Sequence, residues 1–205
     1  MDAFDRDKQI GSRRAKVIAS MERLSTLFRT TLQEQANILG LSPLQIQIIL
    51  FVAHHDREHC NVSEMAQEFA VTKPTVSDAV RVLLAKKLLL KKQDKADARA
   101  FTVQLSSKGK KLLEPLSGLS GYFLESMESM DEGDVDAVWH GILVLMQHLQ
   151  KKEAIPMRMC FSCQHFGKDH PTGAPHYCHL MDSPLTMNDI RIDCAEYAPR
   201  TSNTA

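Results

Sequence analysis

The sequence predicts a mainly helical protein with one basic two-stranded hairpin and a small cysteine-rich extension at its carboxyl end. Three observations lead to this prediction. Apolar residues recur at helical spacing on both sides of the middle of the chain, a helix–turn–helix–hairpin pattern occupies residues 61–107, and four of the five cysteines follow residue 157. We therefore expect a larger, mainly helical domain over residues 1–152, a linker over residues 153–159 and a separate cysteine-rich extension over residues 160–199.

The pattern in residues 61–107 predicts two short helices, a tight turn and a hairpin. Ser63 is a candidate N-cap for the first helix, and Thr72 is a candidate N-cap for the second, which has Pro74 in its first turn. Apolar residues recur on the second helix and form one face, namely Val76, Ala79, Val80, Leu83 and Leu84. We predict that this second helix, over about residues 73–87, buries that face.

The opposite face of the second helix carries short polar and basic side chains, as helices that read the major groove of DNA do. Its predicted DNA-binding residues are Lys73, Thr75, Ser77 and Arg81. The hairpin, predicted over residues 88–105, adds positive charge that can reach phosphates and the minor groove. Its predicted DNA-binding residues are Lys91, Lys92, Lys95 and Arg99. A helix-turn-helix followed by a basic hairpin is a winged helix.

The distribution of charge agrees with this prediction, although the whole chain has a formal net charge of zero. Residues 71–111 hold eleven Lys or Arg and three Asp or Glu, a net charge of +8, whereas residues 112–205 have a net charge of −7. The positive charge coincides with the predicted reading helix and wing, as expected of a surface that binds phosphates. A solvated basic surface is the alternative, and the coincidence with an independent motif disfavours it.

The wing and the helix after it contain a motif that resembles the MarR family of transcription regulators. The motif is Asp94-x-x-Asp97-x-Arg99 followed by Leu105-Ser106-x-x-Gly109. The resemblance covers about residues 15–150. It has two departures, since Lys87 stands where the family usually has glycine and Ser106 where it usually has threonine. Within the motif, the two aspartates are expected to brace the wing turn and orient the arginine.

The resemblance and the apolar patterns together imply a homodimer whose long terminal helices intertwine. The predicted long helices cover about residues 15–39, 107–130 and 131–152, with a core helix over about residues 43–55, and residues 2–14 are expected to be frayed. We expect the helix after the wing to be loosened by Pro115, Gly118 and Gly121. Two reading helices would reach successive major grooves of double-stranded DNA, which implies a palindromic operator. The family also implies a pocket near the dimer helices, so regulation by a small aromatic ligand remains an alternative. We expect the protein to act as a repressor.

The extension contains Cys160-x-x-Cys163, then Cys178 and Cys194. We expect a cytoplasmic protein without a membrane span, because the amino terminus is charged and no apolar run approaches the length of a bilayer. In that compartment, clustered cysteines more often bind metal than form disulfides. A short segment with few aliphatic residues also needs a cross-link, such as a bound metal or a disulfide, in order to fold. We therefore predict that these four cysteines are metal ligands, with a disulfide pair or incidental cysteines as the alternative.

The metal is expected to be a [4Fe–4S] cluster or zinc, and we place the cluster first. The cysteine intervals of 2, 14 and 15 residues, with Phe166 and Tyr197 three residues after Cys163 and Cys194, are similar to high-potential iron–sulfur proteins and to small cluster-bearing subunits of certain glycyl-radical enzymes. Zinc prefers two paired knuckles, and only one is present. Histidines that could replace a cysteine at zinc are His165, His170, His176 and His179. A cluster would make DNA binding sensitive to redox state, nitric oxide or metal, whereas zinc would be structural or a sensor of metal or thiols.

A second group of potential ligands comprises His54, His55, His59 and Cys60. These residues could bind a divalent metal or sense oxidants through the thiol. We favour a structural role, in which His54 and His55 stabilise a helix carboxyl end and Cys60 fills a small buried space. No recognisable catalytic constellation or phosphate-binding loop is present, so we do not expect an enzyme. The rival class is a metal-cluster interaction module whose winged helix docks a protein.

Overall fold

The computed structural model describes residues 3–93, 101–152, 157–169, 173 and 175–200, without the side chain of Lys8. The chain divides into two compact units. The first unit comprises Met1–His54 and Ser77–Glu125, and the second comprises His55–Val76 and Ser126–Ala205.

In the described residues, helices are the main elements of the chain, and a small antiparallel sheet lies in each unit. The helices are α1 (Arg6–Gly11), α2 (Arg13–Leu39), α3 (Pro43–His54), α4 (Val62–Glu68), α5 (Lys73–Ala85), α6 (Ser107–Lys110), α7 (Leu113–Leu116), α8 (Gly121–Glu128) and α9 (Glu132–Gln150). The strands are β1 (Leu89–Gln93), β2 (Phe101–Leu105), β3 (Phe166–Lys168), β4 (His176–Cys178) and β5 (Ser183–Leu185). Short 3₁₀ helices cover Arg57–His59, Ser117–Ser120, Cys160–Ser162 and Met187–Asp189.

The long first helix and the core helix of the first unit are confirmed as α2 and α3. Helix α2 ends at Gly40, whose φ of 61° allows the N–H of Leu41 to donate to the carbonyl of Ala36 at 2.9 Å. Helix α3 buries Ile46, Ile48 and Ile49, as its apolar composition predicts. The expectation of a frayed start is wrong in part, because α1 forms where the Asp5 carboxylate accepts from the N–H of Asp7 at 3.0 Å.

The helix-turn-helix is present, with one correction to its first cap. Ser63 does not cap α4. Asn61 takes that place, and its side-chain oxygen accepts from the N–H of Glu64 at 3.0 Å. Thr72 caps α5 as predicted, accepting from the N–H of Thr75 at 3.3 Å. Both Asn and Ser are strong N-cap residues, so composition alone does not choose between neighbouring candidates.

The apolar stripe of α5 is confirmed, since Val76, Ala79, Val80 and Leu83 are buried and Leu84 is half-buried. The helix ends in a Schellman motif, in which the N–H of Leu88 donates to the carbonyl of Leu83 at 2.9 Å. Lys87 occupies the left-handed position of this motif with a φ of 59°. That conformation explains why glycine would suit this position.

Replacing Lys87 by Gly should raise the free energy of unfolding by about 0.5–1 kcal/mol, because glycine removes the steric cost of the left-handed backbone. The Lys87 carbonyl still accepts from the Ser106 hydroxyl in the variant, as it does at 2.7 Å here. Urea unfolding measures the change. The matched control is Ala85→Gly in the last turn of α5, which should lower stability by up to about 1 kcal/mol. A less stable Lys87→Gly protein would contradict the prediction.

The predicted hairpin is confirmed as an antiparallel pair whose register runs from Leu89 opposite Leu105 to Gln93 opposite Phe101. At its base, the N–H of Ser106 donates to the carbonyl of Leu88 at 3.0 Å. The side chain of Ser106 then caps α6 by accepting from the N–H of Gly109 at 2.9 Å. The wing and the helix after it are therefore joined by one compact turn.

The helix expected after the wing is split rather than merely loosened. Helices α6, α7 and α8 and the 3₁₀ turn Ser117–Ser120 share the segment predicted as one helix. Pro115 has no N–H to donate to the carbonyl four residues earlier, which interrupts the helical hydrogen-bond ladder. Gly118 and Gly121 further lower the helix propensity of this segment.

The second unit packs the cysteine-rich extension on α9, the helix predicted over residues 131–152. The extension forms a three-stranded sheet in the order β3-β4-β5. Its apolar side chains surround Leu143 of α9, which is fully buried, and the indole N–H of Trp139 donates to the carbonyl of Met187 at 3.1 Å. The buried members of this cluster are Leu143, Met159, Cys163, Phe166 and Ile190. The extension thus has a small core of its own, built on one helix.

A membrane-crossing helix is not found in the described part of the chain, where each helix taken singly is too short or too polar. Helices α2 and α3 are long and apolar enough to cross a membrane only when they are taken together, and the chain bends by 92° between them.

Candidate nucleic-acid interface and cysteine centre

The four residues predicted to read the major groove, Lys73, Thr75, Ser77 and Arg81, are all exposed on α5. The Thr75 hydroxyl lies 2.7 Å from the Thr72 hydroxyl, so its position is held by the N-cap residue. Arg81 forms an ion pair with Asp78 one turn earlier, and both side chains remain largely exposed. Because the opposite face of the helix is buried, α5 presents one polar and basic surface to solvent.

Two predicted wing residues, Lys91 and Lys92, are exposed on β1. The Lys91 ammonium lies 4.2 Å from the centre of the Phe101 ring on β2, a cation–π contact that holds the side chain against the wing. The other two predicted wing contacts, Lys95 and Arg99, lie outside the described residues. Asp94 and Asp97 of the wing motif also lie outside the described residues.

Some of the positive charge in this region has a structural partner instead. The Lys86 ammonium donates to the carbonyl of Gly40 at 2.7 Å, and the Lys108 ammonium donates to the carbonyl of Lys86 at 3.2 Å. The net charge of residues 71–111 therefore overstates the number of side chains that are available for phosphates.

The four cysteines of the extension are thiols, and the backbone holds two of their segments side by side. The N–H of Cys160 donates to the carbonyl of Arg191 at 3.1 Å, and the N–H of Cys194 donates to the carbonyl of Arg158 at 3.0 Å. Cys178 lies on β4 and pairs with Phe166 on β3. Phe166 is itself only three residues after Cys163. The fold thus brings together cysteines that are far apart in the sequence.

The sulfur of Cys160 lies within electrostatic range of the other three. Burial raises the pKa of the Cys160 thiol, the N–H of Arg191 lowers it, and the negative charges of Cys194, Cys178 and Cys163 raise it again. Within the described residues, no three His, Cys, Asp or Glu side chains are arranged so as to hold a metal ion. The thiols therefore share one region without forming a closed coordination shell.

Two N–H groups of Arg191 donate to sulfur atoms in this region. The backbone N–H of Arg191 donates to Cys160 Sγ at 3.3 Å, and its guanidinium donates to Cys194 Sγ at 3.9 Å. N–H donors of this kind stabilise metal-bound thiolates and tune iron–sulfur clusters. The predicted alternative ligands His165, His176 and His179 lie in the same sheet region, and His170 lies outside the described residues. His176 packs against the rings of Phe161 and Phe166.

Two residues that lie close to these cysteines in the sequence form ion pairs with residues before and at the end of α4. Asp193 lies 2.6 Å from His55 through one oxygen and 2.9 Å from Arg158 through the other. Arg158 also lies 3.8 Å from Glu68, the last residue of α4. We call Arg158, Asp193, His55 and Glu68 the clasp. Sequence reasoning missed it, because His55 and Asp193 are 138 residues apart and no local pattern joins them.

The structural role favoured for the second group of potential ligands is present in part, since His54 lies in the last turn of α3 and Cys60 is buried, whereas His55 pairs with a carboxylate. Cys60 is 2% exposed, and its thiol donates to the carbonyl of Asp56 at 3.4 Å. Burial, with the charges of Glu64 and Asp56, raises the pKa of this thiol to about 11. His59 lies 2.6 Å from Glu64, and His55 belongs to the clasp. A thiol with so high a pKa is a poor nucleophile at neutral pH, which disfavours oxidant sensing by Cys60.

Comparison with known proteins places this fold in a recognised class. The MarR family model matches residues 39–100. The S. aureus MepR–DNA complex has a TM-score of 0.55 at 19% identity, over 64% of this chain and 96% of that one. A MarR transcriptional regulator from Methanosarcina mazei Go1 has a TM-score of 0.53 at 19% identity, over 63% of this chain and 95% of that one. The transcriptional regulator BldR from Sulfolobus Solfataricus has a TM-score of 0.50 at 20% identity, over 67% of this chain and 99% of that one. No curated protein matches the chain.

These similarities show the winged-helix fold that solved MarR regulators have, and they confirm the mainly helical, winged-helix part of the predicted fold. The family match covers the segment from the end of α2 to the wing, which contains both helices of the helix-turn-helix. The solved structures match over nearly their whole length but over only 63–67% of this chain.

Proposed function

We propose that this protein is a homodimeric transcription regulator that binds palindromic double-stranded DNA. The observation that carries the proposal is α5, which buries one face and exposes Lys73, Thr75, Ser77 and Arg81 on the other, within a MarR-type winged helix. Short polar side chains near the start of a reading helix can reach base edges in the major groove. The similar MepR structure is a complex with DNA, which supports the same partner for this chain.

The wing supplies contacts to the DNA backbone in this proposal. Lys91 and Lys92 are exposed on β1, and Lys95 and Arg99 follow them in the sequence. Such contacts fix the register of the protein on DNA without reading its sequence, whereas α5 reads bases. Repression is the expected outcome of binding over a promoter.

An apolar surface on α2 supports dimerisation with a second copy of the chain. Six large apolar side chains on this helix are between 40% and 53% exposed: Val17, Ile18, Met21, Leu24, Leu27 and Phe28. A contiguous apolar surface of this kind usually marks an interaction site. We favour a second copy as its partner, because an isologous dimer would give two reading helices and match a palindromic operator.

We further propose that Cys160, Cys163, Cys178 and Cys194 hold a [4Fe–4S] cluster, with zinc as the alternative. The charges of Cys163, Cys178 and Cys194 all act on the Cys160 thiol, and N–H groups donate to the sulfurs of Cys160 and Cys194. The cluster would supply one-electron redox chemistry and sensitivity to nitric oxide, whereas zinc would supply a structural bond or respond to metal supply. In either case, occupancy of the centre would regulate DNA binding in the cytoplasm, where thiols stay reduced.

DNA binding measured against salt tests the regulator proposal. Metal-loaded protein should bind DNA upstream of its own gene, and the logarithm of its association constant should fall with the logarithm of salt by about 0.9 for each phosphate contact. Replacing both Lys91 and Lys92 by Ala should lower that slope by about one for each lysine that binds a phosphate. Fluorescence anisotropy between about 50 and 200 mM salt measures both quantities.

The control is Lys168→Ala, which removes an exposed lysine of the extension and should leave the slope unchanged. Absence of binding even at low salt would contradict the proposal. That result would favour the rival class, an interaction module whose winged helix docks a protein.

A further inference from the structure

Asp78 is an acidic residue on the polar and basic surface of the reading helix α5. It lies one turn before Arg81, and both residues are exposed. They occupy the side of the helix opposite the buried Ala79 and Leu83, which is the side that enters a major groove if α5 reads DNA. A carboxylate on this side is repelled by DNA phosphates and lowers the affinity for DNA of any sequence. Its position therefore favours a role in selecting the sequence.

Asp78 and Arg81 form an ion pair, in which the guanidinium donates to one carboxylate oxygen. The side chain of Arg81 is 76% exposed and that of Asp78 is 68% exposed, so water reaches both. Exposed ion pairs at this spacing contribute little to the stability of a helix. The main consequence of the pair is that it holds the long side chain of Arg81 beside a hydrogen-bond acceptor.

The paired side chains present hydrogen-bond donors and acceptors next to one another. A guanidinium has five N–H groups and a carboxylate has two oxygens, so each side chain can bind a base as well as its partner. A G·C pair shows the complementary set in the major groove, namely the N7 and O6 acceptors of guanine and the N4 amino donor of cytosine. An A·T pair has an amino donor between two acceptors and lacks the adjacent acceptors that a guanidinium binds. The ion pair therefore fits a G·C pair better than an A·T pair.

We propose that Asp78 is a specificity-determining residue, and that Asp78 and Arg81 together read one G·C base pair in each half-site of the operator. The proposal rests on the proposed function, because it requires α5 to enter the major groove. Arg81 donates to guanine, and Asp78 accepts from the amino group of cytosine. An acceptor atom in place of that amino group is repelled by the carboxylate, so Asp78 adds discrimination rather than affinity.

Asp78→Ala and Asp78→Asn test the proposal on an operator that wild-type protein selects from random-sequence DNA. Each base pair of the half-site is replaced in turn, and competition binding measures the preference at that pair. Wild type should prefer G·C at one pair by roughly 5- to 150-fold, the range for one bidentate contact, and Arg81→Ala should lose that preference. Asp78→Ala should weaken the preference at the same pair. Asp78→Asn should shift it toward adenine in place of cytosine, because an amide binds adenine through two hydrogen bonds.

Asp169→Asn is the matched control, since Asp169 forms an exposed ion pair with Lys168 in the extension. This variant makes the same chemical change and should keep the wild-type preference at every base pair. If both Asp78 variants keep the wild-type preference, or if the pair that Arg81 contacts is A·T, the inference is overturned while the proposed function stands. If wild-type protein binds no DNA even at low salt, the proposed function is overturned and the inference falls with it.

Discussion

Replacing Cys194 by Ser is expected to abolish metal binding by the extension. A hydroxyl is a poor ligand for iron–sulfur clusters and for zinc compared with a thiolate, and three thiolates leave the centre incomplete. Protein purified without oxygen should contain one centre per chain, and the variant should contain none. Iron, sulfide and zinc assayed on the same sample measure this, together with the visible absorption spectrum.

The matched control for this prediction is Cys60→Ser, since Cys60 is a buried thiol outside the extension. It should keep the full metal content. A brown wild-type protein with about four irons and four sulfides per chain would identify the cluster, and a colourless protein with about one zinc would identify the zinc alternative. Wild-type protein that contains neither metal, or a Cys194→Ser variant with undiminished metal, would contradict the proposed centre.

Replacing Gly109 by Ala is expected to cause the largest loss of stability of any substitution considered in the winged helix. A Cβ atom at this position would lie 2.2 Å from the carbonyl oxygen of Leu88 and 3.3 Å from a methyl group of Leu105. The first neighbour is backbone and is also the acceptor for the N–H of Ser106, so it cannot turn away. We expect the free energy of unfolding to fall by about 3 kcal/mol, at the upper end for overpacking.

Urea unfolding measures this loss, and Gly133→Ala is its control. Gly133 lies in the first turn of α9, where an added Cβ would meet no atom within 4 Å. Alanine there should raise stability by up to about 1 kcal/mol through its helix propensity. A loss below about 1 kcal/mol in Gly109→Ala would mean that α6 and the wing can separate at little cost, contrary to the packing described.

Local chemistry was enough to predict most of the winged helix. The spacing of Val76, Ala79, Val80 and Leu83 encodes the buried face of α5, and period-two alternation encodes β2. The reading-helix residues then follow, because they occupy the positions that the buried face leaves exposed. Caps were less certain, since Asn61 and Ser63 are both good N-cap residues and only the packed helix selects one.

Contacts between distant segments were beyond sequence reasoning. The four cysteines could be grouped by composition, but the pairing of Cys160 with Arg191 and of Cys194 with Arg158 depends on how the extension folds over α9. The same holds for the contact between His55 and Asp193, which places a histidine expected to stabilise a helix end in an ion pair instead. Periodicity describes one element at a time, and such contacts join several elements.

The most direct test of the central claim is selection of binding sites from random-sequence double-stranded DNA by metal-loaded protein. A dimeric winged-helix regulator should enrich an inverted repeat whose half-site centres are about 10–11 base pairs apart, the spacing of successive major grooves. A variant with Lys73 and Arg81 replaced by Ala should lose that enrichment. Recovery of no common sequence, or of a single half-site without symmetry, would contradict the account.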